Sequence, residues 1–238
     1  MTADPLAPIR EAPEQSSLIL DVDGTLAPIV ARPELAEVPA STRAELSRLT
    51  NRYLLVACVS GRSGVDAQRL VGVEGIRYVG NHGLELDPRA EALTARIAAF
   101  RDSLGREVED KGLTLSYHFR EADDESAARQ ELDAVAERAR AEGLVARWGR
   151  KVLEIRPLVD ADKGTAVLAL LRESGATRAL YAGDDTTDLD AFTGLASADL
   201  EHFVRVAVAS DEAPPALLDA ADIVVDGPGE LARLLARL

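Results

Sequence analysis

The feature that most constrains this chain is the stretch Ser17-Leu18-Ile19-Leu20-Asp21-Val22-Asp23-Gly24-Thr25. An apolar, partly β-branched run ends in two carboxylates spaced i, i+2, and a glycine follows at once. On a strand those two positions point to the same side, so both acids can face one pocket at the strand's carboxyl end. Gly24 lets the backbone turn sharply there, and open α/β sheets bind ligands at that end. Two acids on a strand tip are costly unless paired, and a hard cation such as Mg2+ suits them. A plain strand followed by an Asp-Gly turn is the alternative reading.

The same pattern recurs. Residues 53–59 are a continuous apolar run, as in a strand buried on both faces of a parallel sheet, and end at Ser60-Gly61-Arg62. Helices are expected over 40–51 and 63–71, and a short strand over 76–79 leads into Gly80-Asn-His82-Gly83-Leu-Glu85. This alternation predicts βαβ units. The texture then changes. A helix over 89–111, a strand over 113–119, a helix over 123–142 and a hairpin of strands at 144–148 and 151–155 predict a small antiparallel sheet with two helices on one face. The parallel pattern returns with a helix from Lys163 and a strand over 178–182 that runs into Gly183-Asp184-Asp185-Thr-Thr-Asp188; strands over 204–208 and 223–225 and a helix over 228–237 close the chain. The expected organisation is a Rossmann-like α/β core of residues 1–86 and 158–238 with an inserted α+β cap of 87–157. Residues 1–16, with three prolines, read as a loose lead-in.

Composition narrows the function classes. The 238 residues are 47% apolar and 29% charged, enough for a core of ordinary size. A net charge of −14 argues against nucleic acid and anionic membrane surfaces as partners. The single cysteine, Cys58, excludes a disulfide framework. Residues 1–16 lack the basic and apolar regions of a signal peptide, and no stretch reaches the length of a membrane span, so the cytoplasm is expected.

Four strand or helix ends thus carry polar signals: Asp21-x-Asp23, Ser60, Lys163 and Asp184-Asp185-x-x-Asp188. Phosphoryl transfer needs a nucleophile, charge neutralisation and an acid/base for the departing oxygen, and these residues can supply all three. Asp21 would attack phosphorus. Asp23 would protonate the leaving alkoxide and then deprotonate water. Asp184, with Asp21 and a backbone carbonyl at Asp23, would hold Mg2+, while Ser60 and Lys163 bind the other phosphate oxygens. Taken singly, each has a plainer reading: Ser60 as a helix cap, Lys163 as a surface residue, and Asp184, Asp185 and Asp188 as helix-start acids.

In order and spacing, Asp21-Val-Asp-Gly-Thr-Leu26, Ser60, Lys163 and Gly183-Asp-Asp-x-x-Asp188 resemble the four motifs of the haloacid dehalogenase-like phosphohydrolases. More narrowly, Val59-Ser-Gly-Arg62, Gly80-Asn-His-Gly-Leu-Glu85, Tyr117-His-Phe-Arg120, Lys151-Val-Leu-Glu-Ile-Arg-Pro157, Asp162-Lys-Gly164 and Gly183–Phe192 are similar to the trehalose-6-phosphate phosphatase family. The resemblance implies Mg2+-dependent hydrolysis of trehalose 6-phosphate through an aspartyl-phosphate, with Asp185 and Asp188 supporting the metal. It implies substrate contacts from Gly24, Thr25, Gly61, Arg62, His82, Gly83, Glu85, Arg120, Lys151 and Glu154. A monomer functionally coupled to a trehalose-phosphate synthase is the expected setting. One departure stands at Leu189, where the family usually has an acid. The alternatives are a phosphatase of sucrose phosphate or of a mannosyl- or glucosyl-phosphoglycerate, a sugar phosphomutase, or a non-catalytic sugar-phosphate sensor or synthase regulatory subunit.

Overall fold

The computed structural model describes residues 4–30, 32–105, 108–119, 122, 124–149 and 151–238. In chain order it forms α1 (Ala7–Glu11), β1 (Ser16–Leu20), α2 (Ala40–Thr50), β2 (Leu55–Val59), α3 (Gly64–Val71) and β3 (Arg77–Val79). Then come α4 (Ala90–Leu104), β4 (Glu109–Asp110), β5 (Leu115–His118), α5 (Glu125–Ala141), β6 (Leu144–Gly149) and β7 (Val152–Pro157). The chain closes with α6 (Lys163–Ser174), β8 (Arg178–Gly183), α7 (Thr187–Ser197), β9 (His202–Ala209), α8 (Pro215–Ala220), β10 (Ile223–Asp226) and α9 (Gly227–Leu235). It divides into two compact units, Met1–Gly83 with Ala161–Leu238, and Leu84–Asp160. Among the described residues no helix is long and apolar enough to cross a membrane.

The first unit is built on a six-stranded sheet of order β10-β9-β8-β1-β2-β3, every neighbouring pair parallel. All five residues of β1 are buried, Ser16 and Ser17 along with the apolar Leu18–Leu20, as in a strand covered on both faces. The chain steps from β1 to β2 and β3 on one side and later adds β8, β9 and β10 on the other. The sheet's topological switch point is therefore at β1, and a crevice opens outside the carboxyl end of a strand so placed.

Residues 1–16 depart from the expected loose lead-in. Leu6 and Ile9 are buried, and Pro8 and Pro13 occupy the first turns of α1 and of a 3-10 turn, Pro13–Gln15. A proline there removes only an N–H that would have no partner inside the helix. Helix α8 (Pro215–Ala220) is not among the expected elements.

The second unit is a four-stranded antiparallel sheet of order β4-β5-β7-β6 with α4 and α5. Leu115, Tyr117, Leu153 and Ile155 pack with Ile97 and Phe100 of α4 and Leu132, Val135 and Ala136 of α5, so both helices lie on one face. The predicted helix over 89–111 ends early. Gly105 is left-handed (φ +59°) and caps α4, and the charged segment beyond contains β4, paired with β5.

Candidate active site

The loop after β1 is folded back on itself. Asp21 N–H still donates to the Ala182 carbonyl of β8 (2.9 Å), whereas Leu26 and Ala27 N–H both reach the Val22 carbonyl and Gly24 N–H reaches Ala27 (2.8 Å). Gly24 has φ +81°, and a Cβ there would stand 2.0 Å from Oδ2 of Asp184. Thr25 Oγ1 donates to Oδ1 of the same carboxylate (2.9 Å). The tips of β1 and β8 are thereby clamped together, and only glycine fits the clamp.

Asp21, Asp184 and Asp188 are all buried, and one oxygen from each lies within 4.8 Å of the others. Among the described residues a single cation enters the cluster: Lys163 Nζ is 2.7 Å from Asp188 Oδ1 and 3.1 Å from Asp21 Oδ1. Asp188 is saturated. Its Oδ1 also accepts from Tyr181 OH (2.6 Å), and its Oδ2 accepts the N–H groups of Asp184 and Asp185 (both 2.9 Å). Asp21 Oδ2 and Asp184 Oδ2 take no protein hydrogen bond among the described residues.

Burial, with only partial relief from Lys163, pushes the Asp21 carboxyl well above the ordinary range. Burial and then the neighbouring Asp188 push Asp184 up to about 7. Against the opposing effect of burial, Asp188 and Asp21 hold the Lys163 ammonium above its ordinary pKa. Fully ionised, the three buried carboxylates against one ammonium would leave two negative charges over, which is why burial favours their protonated forms in the absence of a cation. Hard oxygen donors, unspent lone pairs on Asp21 and Asp184 and that surplus fit a divalent cation.

Lys163 reaches this cluster because two helices approach closely. Asp162 caps α6 in a capping box with Thr165, so the next residue begins the first turn. A Cβ on Gly164 would stand 2.4 Å from the Asp190 carbonyl of α7, and one on Gly194 would stand 2.5 Å from the Gly164 carbonyl. These glycines bring Lys163 beside Asp188 and place it in the interior rather than on the surface.

Ser60, Gly61 and Arg62 continue β2 and are strapped to the loop after β3. Ser60 N–H donates to Val79 (3.0 Å), Asn81 N–H to the Arg62 carbonyl (2.7 Å) and His82 N–H to the Ser60 carbonyl (2.9 Å). Asn81 and His82 hold φ of +52° and +54°, a region that side-chain-bearing residues rarely enter. The His82 ring packs on Gly61, where a Cβ would meet it at 2.8 Å, and Gly83 packs on the Asp162 carbonyl at the start of α6. Ser60 is not the cap of α3; Ser63 is, accepting from Asp66 N–H. Arg62 sends Nε and Nη2 to the two oxygens of Asp23, both at 2.7 Å.

The first unit thus brings together Asp21, Asp23, Gly24, Thr25, Ser60, Gly61, Arg62, His82, Gly83, Lys163, Asp184, Asp185 and Asp188. Glu85, Lys151 and Glu154 belong to the second unit. There Lys151 turns the β6–β7 hairpin with φ +58°, and its Nζ donates to Glu125 (2.6 Å). Glu154 is on the sheet face opposite the helices, between the inward Leu153 and Ile155. Arg120 lies outside the described residues. Tyr181 was missed from the chain alone because an aromatic inside an apolar run reads as core.

Comparison with known proteins adds an independent line. A family model described as trehalose-phosphatase matches residues 19–102 and 97–216. A trehalose-phosphate phosphatase of Mycolicibacterium paratuberculosis is 36% identical over 248 residues, covering 93% of this chain and 61% of that protein. A probable trehalose-phosphate phosphatase 4 of Oryza sativa subsp. japonica is 32% identical over 201 residues, covering 74% of this chain and 54% of that protein. The chain thus spans less than two thirds of the length of these curated relatives. Among solved structures, a trehalose-6-phosphate phosphatase related protein superposes with a TM-score of 0.71 at 24% identity, covering 93% of this chain and 96% of that one. The C-terminal domain of a C. albicans trehalose-6-phosphate phosphatase gives 0.70 at 20% identity, covering 98% and 95%. At these identities the structures speak for the fold.

Proposed function

The chain belongs to the trehalose-phosphatase family, and from that premise we propose that it hydrolyses trehalose 6-phosphate to trehalose and inorganic phosphate. The observation that carries the reading is the contact of Lys163 Nζ with Asp21 Oδ1 at 3.1 Å, inside a buried acidic cluster at the sheet's switch point. A carboxylate so placed is a nucleophile whose charge is partly balanced before a phosphate dianion arrives.

A carboxylate oxygen of Asp21 forms the bond to phosphorus as the bond from phosphorus to the sugar oxygen breaks. Asp23 gives its proton to the departing alkoxide. A water oxygen then attacks the aspartyl-phosphate, Asp23 takes the water's proton, and inorganic phosphate leaves with the Asp21 carboxylate restored. Ser60 and Lys163 bind phosphate oxygens, helped by the backbone around Gly24, Thr25 and Gly61. Asp21, Asp184 and the Asp23 carbonyl would hold Mg2+, which neutralises phosphate charge when bound. Asp188 and Asp185 keep the Asp184 loop in register. His82, Gly83, Glu85, Arg120, Lys151 and Glu154 are assigned to the sugar, whose hydroxyls need both donors and acceptors. The setting we assign is a cytoplasmic monomer coupled to a trehalose-phosphate synthase.

The test is phosphate release from a panel of sugar phosphates with Mg2+. Trehalose 6-phosphate should be the best substrate, and Asp21→Asn should abolish release. Preference for another sugar phosphate would replace the substrate; isomerised sugar phosphate in place of free phosphate would indicate a mutase.

A further inference from the structure

We infer that Arg62 is a positioning residue for the acid/base carboxylate of Asp23, not a ligand of the substrate's phosphate; the inference rests on the phosphatase reading above. The guanidinium meets Asp23 as a two-point fork, Nε to Oδ2 and Nη2 to Oδ1, both at 2.7 Å. Nη2 makes a further bond to the Pro33 carbonyl (3.0 Å). Arg62 is itself anchored through its backbone, by its N–H on Ser60 Oγ (3.1 Å) and by Asn81 N–H on its carbonyl. The segments after β1, β2 and β3 therefore meet at Arg62, the first on its guanidinium and the third on its backbone.

The Asp23 side chain is 41% exposed, whereas Arg62 is 17% exposed. A carboxylate that open to water would rotate among rotamers, and the fork holds it in one. Each carboxylate oxygen has two lone pairs, and the fork uses one on each, so a second acceptor position stays available on both. The fork thus aims Asp23 at the reacting oxygen without blocking it. Nε and Nη2 cannot serve a phosphate while they hold Asp23 and Pro33. The buried Lys163 already supplies a cation on the nucleophile's side.

The experiment compares kcat/KM for trehalose 6-phosphate, whose alkoxide must be protonated as it leaves, with that for 4-nitrophenyl phosphate, whose phenolate need not be. This constant covers only the steps through transfer to Asp21, where the acid acts. Arg62→Ala and Arg62→Lys should each lower it by about a hundredfold on the sugar ester, the low end of what a general acid contributes, and by less than about threefold on the aryl ester. The lysine variant keeps the charge but has no fork, so it should rescue nothing. Competitive inhibition by inorganic phosphate should stay unchanged, and in an Asp23→Asn background neither Arg62 variant should cost more. Equal losses on both esters with weakened phosphate inhibition, or rescue by lysine, would overturn the inference; so would full activity. Should Arg62→Ala fail to fold, Arg62→Lys carries the comparison. If the wild-type chain cleaves aryl esters alone, the trehalose reading falls and phenyl against 4-nitrophenyl phosphate tests Arg62. A chain inert on every ester would sink both.

Discussion

The Lys163 ammonium is held 2.7 Å from Oδ1 of Asp188, and the two side chains are 2% and 0% exposed. This pair ties the start of α6 to the start of α7 and leaves Lys163 a second contact, on Asp21. Removing one partner of a buried ion pair strands the other charge, at about 3–5 kcal/mol. Lys163→Met should therefore lower unfolding free energy in urea by that amount as well as abolish turnover. Lys163→Met with Asp188→Asn should recover part of the stability and none of the activity.

The acidic cluster predicts a pH-dependent response to divalent cations. Asp21 and Asp184 both carry folded-state pKa values above those of an unfolded chain, Asp184 at about 7. The favourable contribution of Asp184 to the metal-free fold is complete below the unfolded value of about 4 and is lost as pH rises through about 7, and that of Asp21 changes in the same direction. Mg2+ competes for the same oxygens, so it should raise the thermal midpoint at pH 8 and have little effect at pH 5. A shift of equal size at both values would mean that the cation binds elsewhere.

Gly24 should tolerate no side chain. With φ +81° and Asp184 Oδ2 only 2.0 Å from a built Cβ, Gly24→Ala meets a left-handed backbone costing about 1–2 kcal/mol and must displace the carboxylate. The expected outcome is a lower thermal midpoint together with loss of the Mg2+ response at pH 8. Gly229, which has nothing within 4 Å of a built Cβ, provides the control: Gly229→Ala should leave the Mg2+ response intact.

The hairpin residues should act on substrate choice. Losing a hydrogen bond to a charged group costs about 1.5–3 kcal/mol, or roughly ten- to a hundredfold. Lys151→Ala and Glu154→Gln should lower kcat/KM for trehalose 6-phosphate by that factor and leave 4-nitrophenyl phosphate turnover within about twofold. Equal losses on both substrates would count against a sugar-reading role.

The strand tips were legible because an apolar run can stop only where the core stops, so the polar residues that follow Leu20, Val59 and Gly183 mark the sheet's carboxyl edge. Lys163 was legible by position, at the first turn of the helix that reopens the parallel pattern. The roles of Tyr181 and Arg62 were not. Tyr181 looks like core until Asp188 is seen to accept its hydroxyl, and the partner of Arg62 is 39 positions away. Apolar periodicity reports which side chains are buried, not which polar atom each will meet. The prolines before β1 misled for a related reason: proline reads as a breaker, but at a helix's first turn it breaks nothing.

By itself the chain determined most of its elements in order, the acids and the lysine at their ends, and the glycine turn at Gly24, since these follow from local patterning and sterics. Tertiary structure alone decided that β1 lies between β2 and β8, that Asp188 is spent on holding Lys163 and its own loop, and that Arg62 grips Asp23. Strand order and side-chain pairing depend on contacts between distant segments, and those exist only once the sheet has assembled.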